Sequence, residues 1–347
     1  MSCTRVRLFA AALLPLTLGF ISAPRHAMAQ AVDVEALWKQ KFRRPAQPPP
    51  SPPDNPLTPQ KVALGARLFA DKRLSGNGDR ACAGCHRPEL SFTDGRPRAL
   101  SLSGVPLRRN TPALWNLAWG THFFWDGRAP TLEAQVGMPI AAADEMGGEW
   151  PMILRRLEAD RDLAAQFRAA FPDDPRISQA AVLQALASYV RSLVSSPTRF
   201  DAWIEGDAKA LRPPEVRGFG LFIGKAGCAL CHVGWRFTDD RFHDIGLPGH
   251  DGGRGAVEGG TPGLMAFKTP SLRELTHAAP YMHDGSLASL DAVLRHYSGG
   301  YVPRPSLATN MNRHLRLSAA ERSDLIAFLR TLSSEMSPAR GERAGLN

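Results

Sequence analysis

The chain has 347 residues, 44% of them hydrophobic, and a formal net charge of +9. That length is enough for about two domains. Its positive charge is scattered over arginines such as Arg43, Arg44, Arg155 and Arg156, with no compact basic patch interleaved with aromatics, so nucleic acid is not an expected partner.

In chain order, residues 1–29 come first, with Arg5 and Arg7, an apolar run, and then Ala27-Met28-Ala29. This is the layout of a secretory signal peptide cut after Ala29, and its apolar run is short for a membrane span. Cleavage removes Arg5, Arg7 and Arg25 and no acid, so +9 falls to +6. The mature protein is expected in a bacterial periplasm, without stable membrane insertion, because no later stretch is apolar enough to cross a bilayer. Residues 30–58 include RRPAQPPPSPPDNP and read as an extended, proline-rich lead-in.

Two halves follow, 59–205 and 206–337, with a tail at 338–347. Thr58 caps a helix that has Pro59 at its first position and Leu64, Leu68 and Phe69 on its buried side. In ISQAAVLQALASYVRSLVS, Leu186, Tyr189, Val190, Leu193 and Val194 fall on one helical stripe. Ser318 and Glu321 form a capping box for a last helix carrying Leu325, Phe328, Leu329 and Leu332. Alternating strand patterns are few, while 31 glycines and 29 prolines imply long irregular loops. The fold class is therefore mainly α with little strand.

The five cysteines decide the chemistry. Cys3 leaves with the leader, and the other four stand in ACAGCH (Cys82, Cys85, His86) and GCALCH (Cys228, Cys231, His232). Disulfides are the usual fate of cysteines in an oxidising compartment, and a four-cysteine zinc site is another use. Both leave the two histidines without a role. Cys-x-x-Cys-His is the signature of a covalent c-type haem, held by two thioethers and an axial imidazole. Two copies that use every mature cysteine imply two such haems.

The chain also repeats itself. GARLF (65–69) and GFGLF (218–222) precede the two motifs, and SFTD (91–94) and RFTD (236–239) follow them. NTPALWNL (110–117) then matches KTPSLREL (268–275), Trp125 in WDG matches His283 in HDG, and Leu132 matches Leu290. Two related, cytochrome-c-like haem domains about a pseudo-twofold axis are expected. Seven residues beyond those leucines the halves part: Pro139 stands in the first, Tyr297 in the second. Tyrosine ligates haem iron and proline does not, so one iron would be capped and the other open. His296 is a competing ligand for Tyr297.

These residues give the chain its resemblance to bacterial di-haem cytochrome c peroxidases, and more closely to their MauG-type relatives, which oxidise residues of a partner protein. The resemblance runs over residues 55–335 and rests on both haem motifs, RRNTPALWN, FFWDGRAPTLEAQ, DEMG, FHDIGLP, FKTPSL and APYMHDGS. It implies that His86 is the proximal ligand of an oxidant-binding haem, with Gln135 and Glu145 in its distal pocket. The acids of ADEMGGEW do not by themselves separate Glu145 from Asp144; the resemblance does. It further implies Trp125 between the haems, His232 and Tyr297 as axial ligands of the second, and a calcium ion on Asn110 and the carbonyls of Ala278 and Pro280.

Typical members of the plain peroxidase branch carry a distal histidine before the NTP stretch and a methionine where Tyr297 stands. Here LSLSGVPLRRNTP has no histidine, and Met282 and Met311 are not at the ligand position. MauG has a tryptophan just before its second motif, and FIGKAGCALCH has none. Trp235 is either a substitute exit for electrons or packing. The implied function is a periplasmic di-haem oxidoreductase that reacts with hydrogen peroxide and draws electrons from a protein. That partner is a small cytochrome, a copper protein or a protein with an oxidisable tryptophan. A plain cytochrome c peroxidase and a non-catalytic di-haem electron carrier are the alternatives.

Overall fold

The structure, a computed structural model, describes Met1 and residues 34–260 and 263–335. The expected signal peptide at 1–29, beyond Met1, and the tail at 338–347 lie outside the described residues.

The described chain is helical. Helix α1 spans Val34–Phe42, α2 Pro59–Phe69, α3 Cys82–Cys85, α4 Leu132–Ala141, α5 Trp150–Glu158, α6 Arg161–Ala170 and α7 Gln179–Ser192. The second half continues with α8 Arg199–Ile204, α9 Pro213–Ile223, α10 Gly253–Glu258, α11 Leu290–Arg295 and α12 Ala319–Arg330. Among the described residues the one sheet is a two-residue antiparallel pair, β1 Phe242–His243 with β2 Phe267–Lys268.

The caps read from the sequence are in place. The Thr58 hydroxyl accepts from the Lys61 N–H at 3.2 Å, and Ser318 and Glu321 cap each other's backbone at 3.2 and 2.8 Å. Helix α2 packs on α7, and α9 packs on α12 in the same way. Both crossings are so close that they need glycine. A Cβ on Gly65 would come within 2.0 Å of the Ala185 carbonyl, and one on the matching Gly218 within 2.1 Å of the Asp324 carbonyl.

The duplication extends to the seam between the halves. The Lys268 N–H donates to the Trp125 carbonyl at 2.7 Å, and the Asn110 N–H donates to the His283 carbonyl at 2.7 Å. These are the same two repeat positions with their roles exchanged. A Cβ on Gly127 would strike the Phe242 ring, and one on its counterpart Gly285 the backbone of Pro97, the residue that matches Phe242. Both glycines also have positive φ, 68° and 66°. A pseudo-twofold relation accounts for every one of these pairs.

Each half has its own core. The first gathers Leu64, Leu68, Leu74, Ile140, Ile153, Phe167 and Leu186. The second is aromatic, built from Phe200, Phe219, Phe222, Phe237 and Phe328. Two expectations about boundaries change here. Part of the lead-in at 30–58 is helix α1, whose Phe42 is fully buried in the second core and stacks on Phe237 at 4.7 Å. Trp38 and Phe42, four residues apart, present one apolar face that the proline-rich composition around them concealed. The cores also divide between Leu193 and Phe200, ahead of the expected 205/206 boundary, because Phe200, Trp203 and Ile204 of α8 pack in the second core.

Candidate haem sites

In the first motif, the Cys82–Cys85 turn closes with the His86 N–H bonded to the Cys82 carbonyl at 2.9 Å. The His86 ring then donates from Nδ1 to the Phe92 carbonyl at 2.8 Å, which Phe92 presents from a left-handed backbone, φ 59°. The second motif repeats this: the His232 N–H bonds the Cys228 carbonyl at 2.9 Å, and its Nδ1 bonds the carbonyl of Phe237, φ 57°, at 2.9 Å. An imidazole tied through Nδ1–H leaves Nε2 bare for a metal. Burial lowers the pKa of both rings, so both stay neutral and able to ligate.

Among the described residues no disulfide joins the four motif cysteines, and burial pushes the Cys82 and Cys228 thiols up to about 12. Cys82 packs on the first core and Cys228 on the second. The four thiols do not gather into one metal-sized cluster. Among the described residues the one metal-like cluster is Cys231, Asp239 and His243, which leaves the other three cysteines aside.

A continuous cavity of about 960 Å³ runs between the two motifs. Cys85 and His86 line one end, and Cys228, Cys231 and His232 the other. Apolar side chains such as Leu114, Phe123, Leu272 and Leu294 form much of the wall between. Neutral histidines, paired thiols and an apolar enclosure at each end are what covalent haems need, so the residues fit the two groups.

The other singled-out residues fall on the same wall. Gln135 and Pro139 of α4 and Glu145 beyond it all line the cavity. Glu145 is half-buried whereas Asp144 is exposed. Burial, and then the neighbouring Asp144 charge, raise the Glu145 pKa. In the second half, α11 widens after Arg295 into a π-type turn over His296–Gly300. Tyr297 on this turn lines the cavity, and burial, with Cys228 and Cys231 nearby, holds its phenol above the usual range. His296 is directed elsewhere: it is not on the cavity wall, and its Nε2 donates to the Ile245 carbonyl at 2.8 Å.

Trp125 lies half-buried at the seam, its indole N–H donating to the Asn110 carbonyl at 2.9 Å. Asn110, Ala278 and Pro280 line the cavity together, and the Asn110 side-chain N–H2 donates to the carbonyls of Arg96 and Pro97. Trp235 is off the cavity wall, edge-to-face with Trp119 at 4.8 Å and under the Arg44 guanidinium. Met282 and Met311 line the cavity as well. Sequence reasoning passed over the charged wall of the second half, Arg236, Asp240, His243 and Lys268. The overlooked signal was Lys268 directly after the apolar LMAF.

A sequence model of the family described as di-haem cytochrome c peroxidase matches residues 59–209. The methylamine utilization protein MauG of Methylorubrum extorquens is 52% identical over 317 residues, covering 90% of this chain and 89% of the relative. The chain belongs to the di-haem cytochrome c peroxidase and MauG family. MauG of Methylophilus methylotrophus is 47% identical over 298 residues, 85% of this chain and 88% of that one. A solved MauG-like protein associated with microbial copper homeostasis superposes with a TM-score of 0.77 at 35% identity, covering 85% of this chain and 97% of that chain. The protein is thus a MauG-like di-haem peroxidase with two c-type haems, and the MauG-type branch is favoured over the plain peroxidase. Among the described residues no helix is long and apolar enough to cross a membrane.

Proposed function

We propose that the two haems are used unequally, the first as an open site for hydrogen peroxide and the second as a capped electron relay. Cys82, Cys85 and His86 would hold the first, Cys228, Cys231, His232 and Tyr297 the second. The observation that carries this reading is the contrast at one repeat position, Pro139 on one wall of the cavity and Tyr297 on the other. When bound, haem iron supplies a centre that passes electrons to peroxide and takes them back one at a time.

The chain's residues do the rest. The Gln135 amide N–H orients the peroxide by hydrogen bonding. Glu145, its pKa raised by burial, would take a proton from one peroxide oxygen and return it to the other. Two electrons and two protons then balance the conversion of one peroxide to two waters. Tyr297 offers a hard oxygen that favours the oxidised metal, and Trp125 gives an aromatic path across the seam. With its nitrogen committed to two carbonyls, Asn110 presents its amide oxygen to a calcium ion, alongside the carbonyls of Ala278 and Pro280.

The leader-like residues 1–29 support a periplasmic location, and a periplasmic protein is the reductant. Both relatives named above are methylamine utilization proteins, which supports placing that partner in methylamine metabolism. Resting-state spectra combined with intact mass test the reading. Two haems per chain, one high-spin and one low-spin, are expected, and Tyr297→Phe should change the spin state of the second alone. Two equally capped irons, or an unaltered spectrum in the variant, would refute it.

A further inference from the structure

The second half's wall carries a positive charge that the fold leaves poorly matched. Asp239 is engaged by the His243 ring at 2.8 Å. Asp240 is taken by the Arg236 guanidinium. Lys268 reaches the same Asp240 carboxylate only at 3.8 Å, its one ion pair among the described residues, although its side chain is just 14% exposed. Two cations thus share one carboxylate inside a largely apolar wall. Such a charge is costly unless a further anion meets it.

Lys268 is not on a loose tether. It ends β2 opposite Phe242, and its N–H is fixed to the Trp125 carbonyl. The repeat shows that the charges are particular to this half. Ser91, Gly95 and Asn110 stand where Arg236, Asp240 and Lys268 stand in the second. The first half's cations on the cavity wall, Arg98, Arg108, Arg109 and Arg128, stand at other positions, so an anion in the second half would be met by a different set. Arg236 and Asp240 closely follow His232, and the His232 ring also reaches the Pro270 carbonyl, two residues after Lys268.

We propose that Lys268 and Arg236 form a seat for a propionate carboxylate of the second haem, and that this seat raises that haem's reduction potential. A fixed cation near the iron favours the reduced form, which carries one positive charge less. The proposal rests on Cys228, Cys231 and His232 holding the second haem. Lys268 acts here as a positioning residue, through the carboxylate.

The test uses the two-haem holoenzyme and spectroelectrochemical titration. Lys268→Met is expected to lower the midpoint potential of the second haem and leave the first unmoved, with Lys268→Arg keeping most of the wild-type value. If the Met variant does not mature, Lys268→Gln serves, with the same shift expected. Intact mass of wild type and variants checks separately that two haems are attached; their absence from wild type would fail the haem reading, not this one. Unchanged potentials, equal shifts of both haems, or a shift of the first alone would each overturn the seat.

Discussion

Helices α4 and α11 occupy the same place in the two halves and end differently. Both start with a hydroxyl cap, Thr131 on the Ala134 N–H at 3.1 Å and Ser289 on the Ala292 N–H at 3.2 Å. Both follow an antiparallel bridge, Phe123 with Ala129 and Tyr281 with Leu287. Helix α4 then continues through Pro139, while α11 opens into the wide turn that carries Tyr297. The scaffold is held constant by glycines, caps and backbone bonds, and the chemistry is varied by single side chains facing the cavity.

The sharpest way to break the contrast is at Glu145, which in the proposed chemistry serves the first half only. Glu145→Gln is expected to slow the peroxide reaction by about 10²–10⁴-fold in stopped-flow measurements, with both haems still attached. In wild type the rate should fall as pH falls through the raised Glu145 pKa, because the carboxylate then already carries the proton it has to take up; the variant should lack that limb. Normal kinetics in the variant would remove Glu145 from the proposed chemistry. Next in size, Phe42→Ala should cost about 3–5 kcal/mol in denaturant unfolding. It should disturb the second haem's spectrum before the first, because Phe42 packs only in the second core.

The seam itself can be loosened by acid. Asp251 of the second half binds Arg109 of the first through two contacts of 2.8 Å, and Arg109 also holds Asp126. Burial pushes Asp251 up, but the Arg109 hydrogen bonds, the Gly253 N–H and the nearby charges more than offset this and hold it down to about 2. A carboxylate depressed in the fold contributes stability above its ordinary value near 3.8 and loses it as pH falls toward 2. A loss of about 2 kcal/mol across that window is expected, and Asp251→Asn should flatten it. The smallest effects should be symmetric: Thr131→Ala and Ser289→Ala are each expected to cost about 1 kcal/mol. Clearly unequal costs would show that the shared scaffold is less equivalent than its bonds imply.

The local features were readable from the amino-acid order. Thr58, Pro59, Ser318 and Glu321 announce helix ends because capping is settled within four residues. The α7 stripe is legible for the same reason, with Leu186, Val190 and Leu193 buried as expected. The paired haem motifs and the Pro139/Tyr297 contrast were visible because the chain supplies its own comparison. What escaped depends on partners distant in sequence. Phe42 is core because Phe200, Phe219, Phe222 and Phe237 lie against it, and Lys268 is held half-buried on a backbone tied to Trp125. That His296 points away from the cavity depends on Ile245, whose carbonyl its Nε2 meets. Composition misled at α1, where prolines on the C-terminal side masked a short amphipathic turn of chain.

The exchanged backbone bonds at the seam, 268 to 125 and 110 to 283, describe how the halves pair. When a residue i meets j and j meets i, the contact is isologous, the kind by which two identical subunits pair. Inside one chain the two halves therefore pair as two copies of one subunit would. Within one chain the two copies are free to differ, as Pro139 and Tyr297 do at one repeat position.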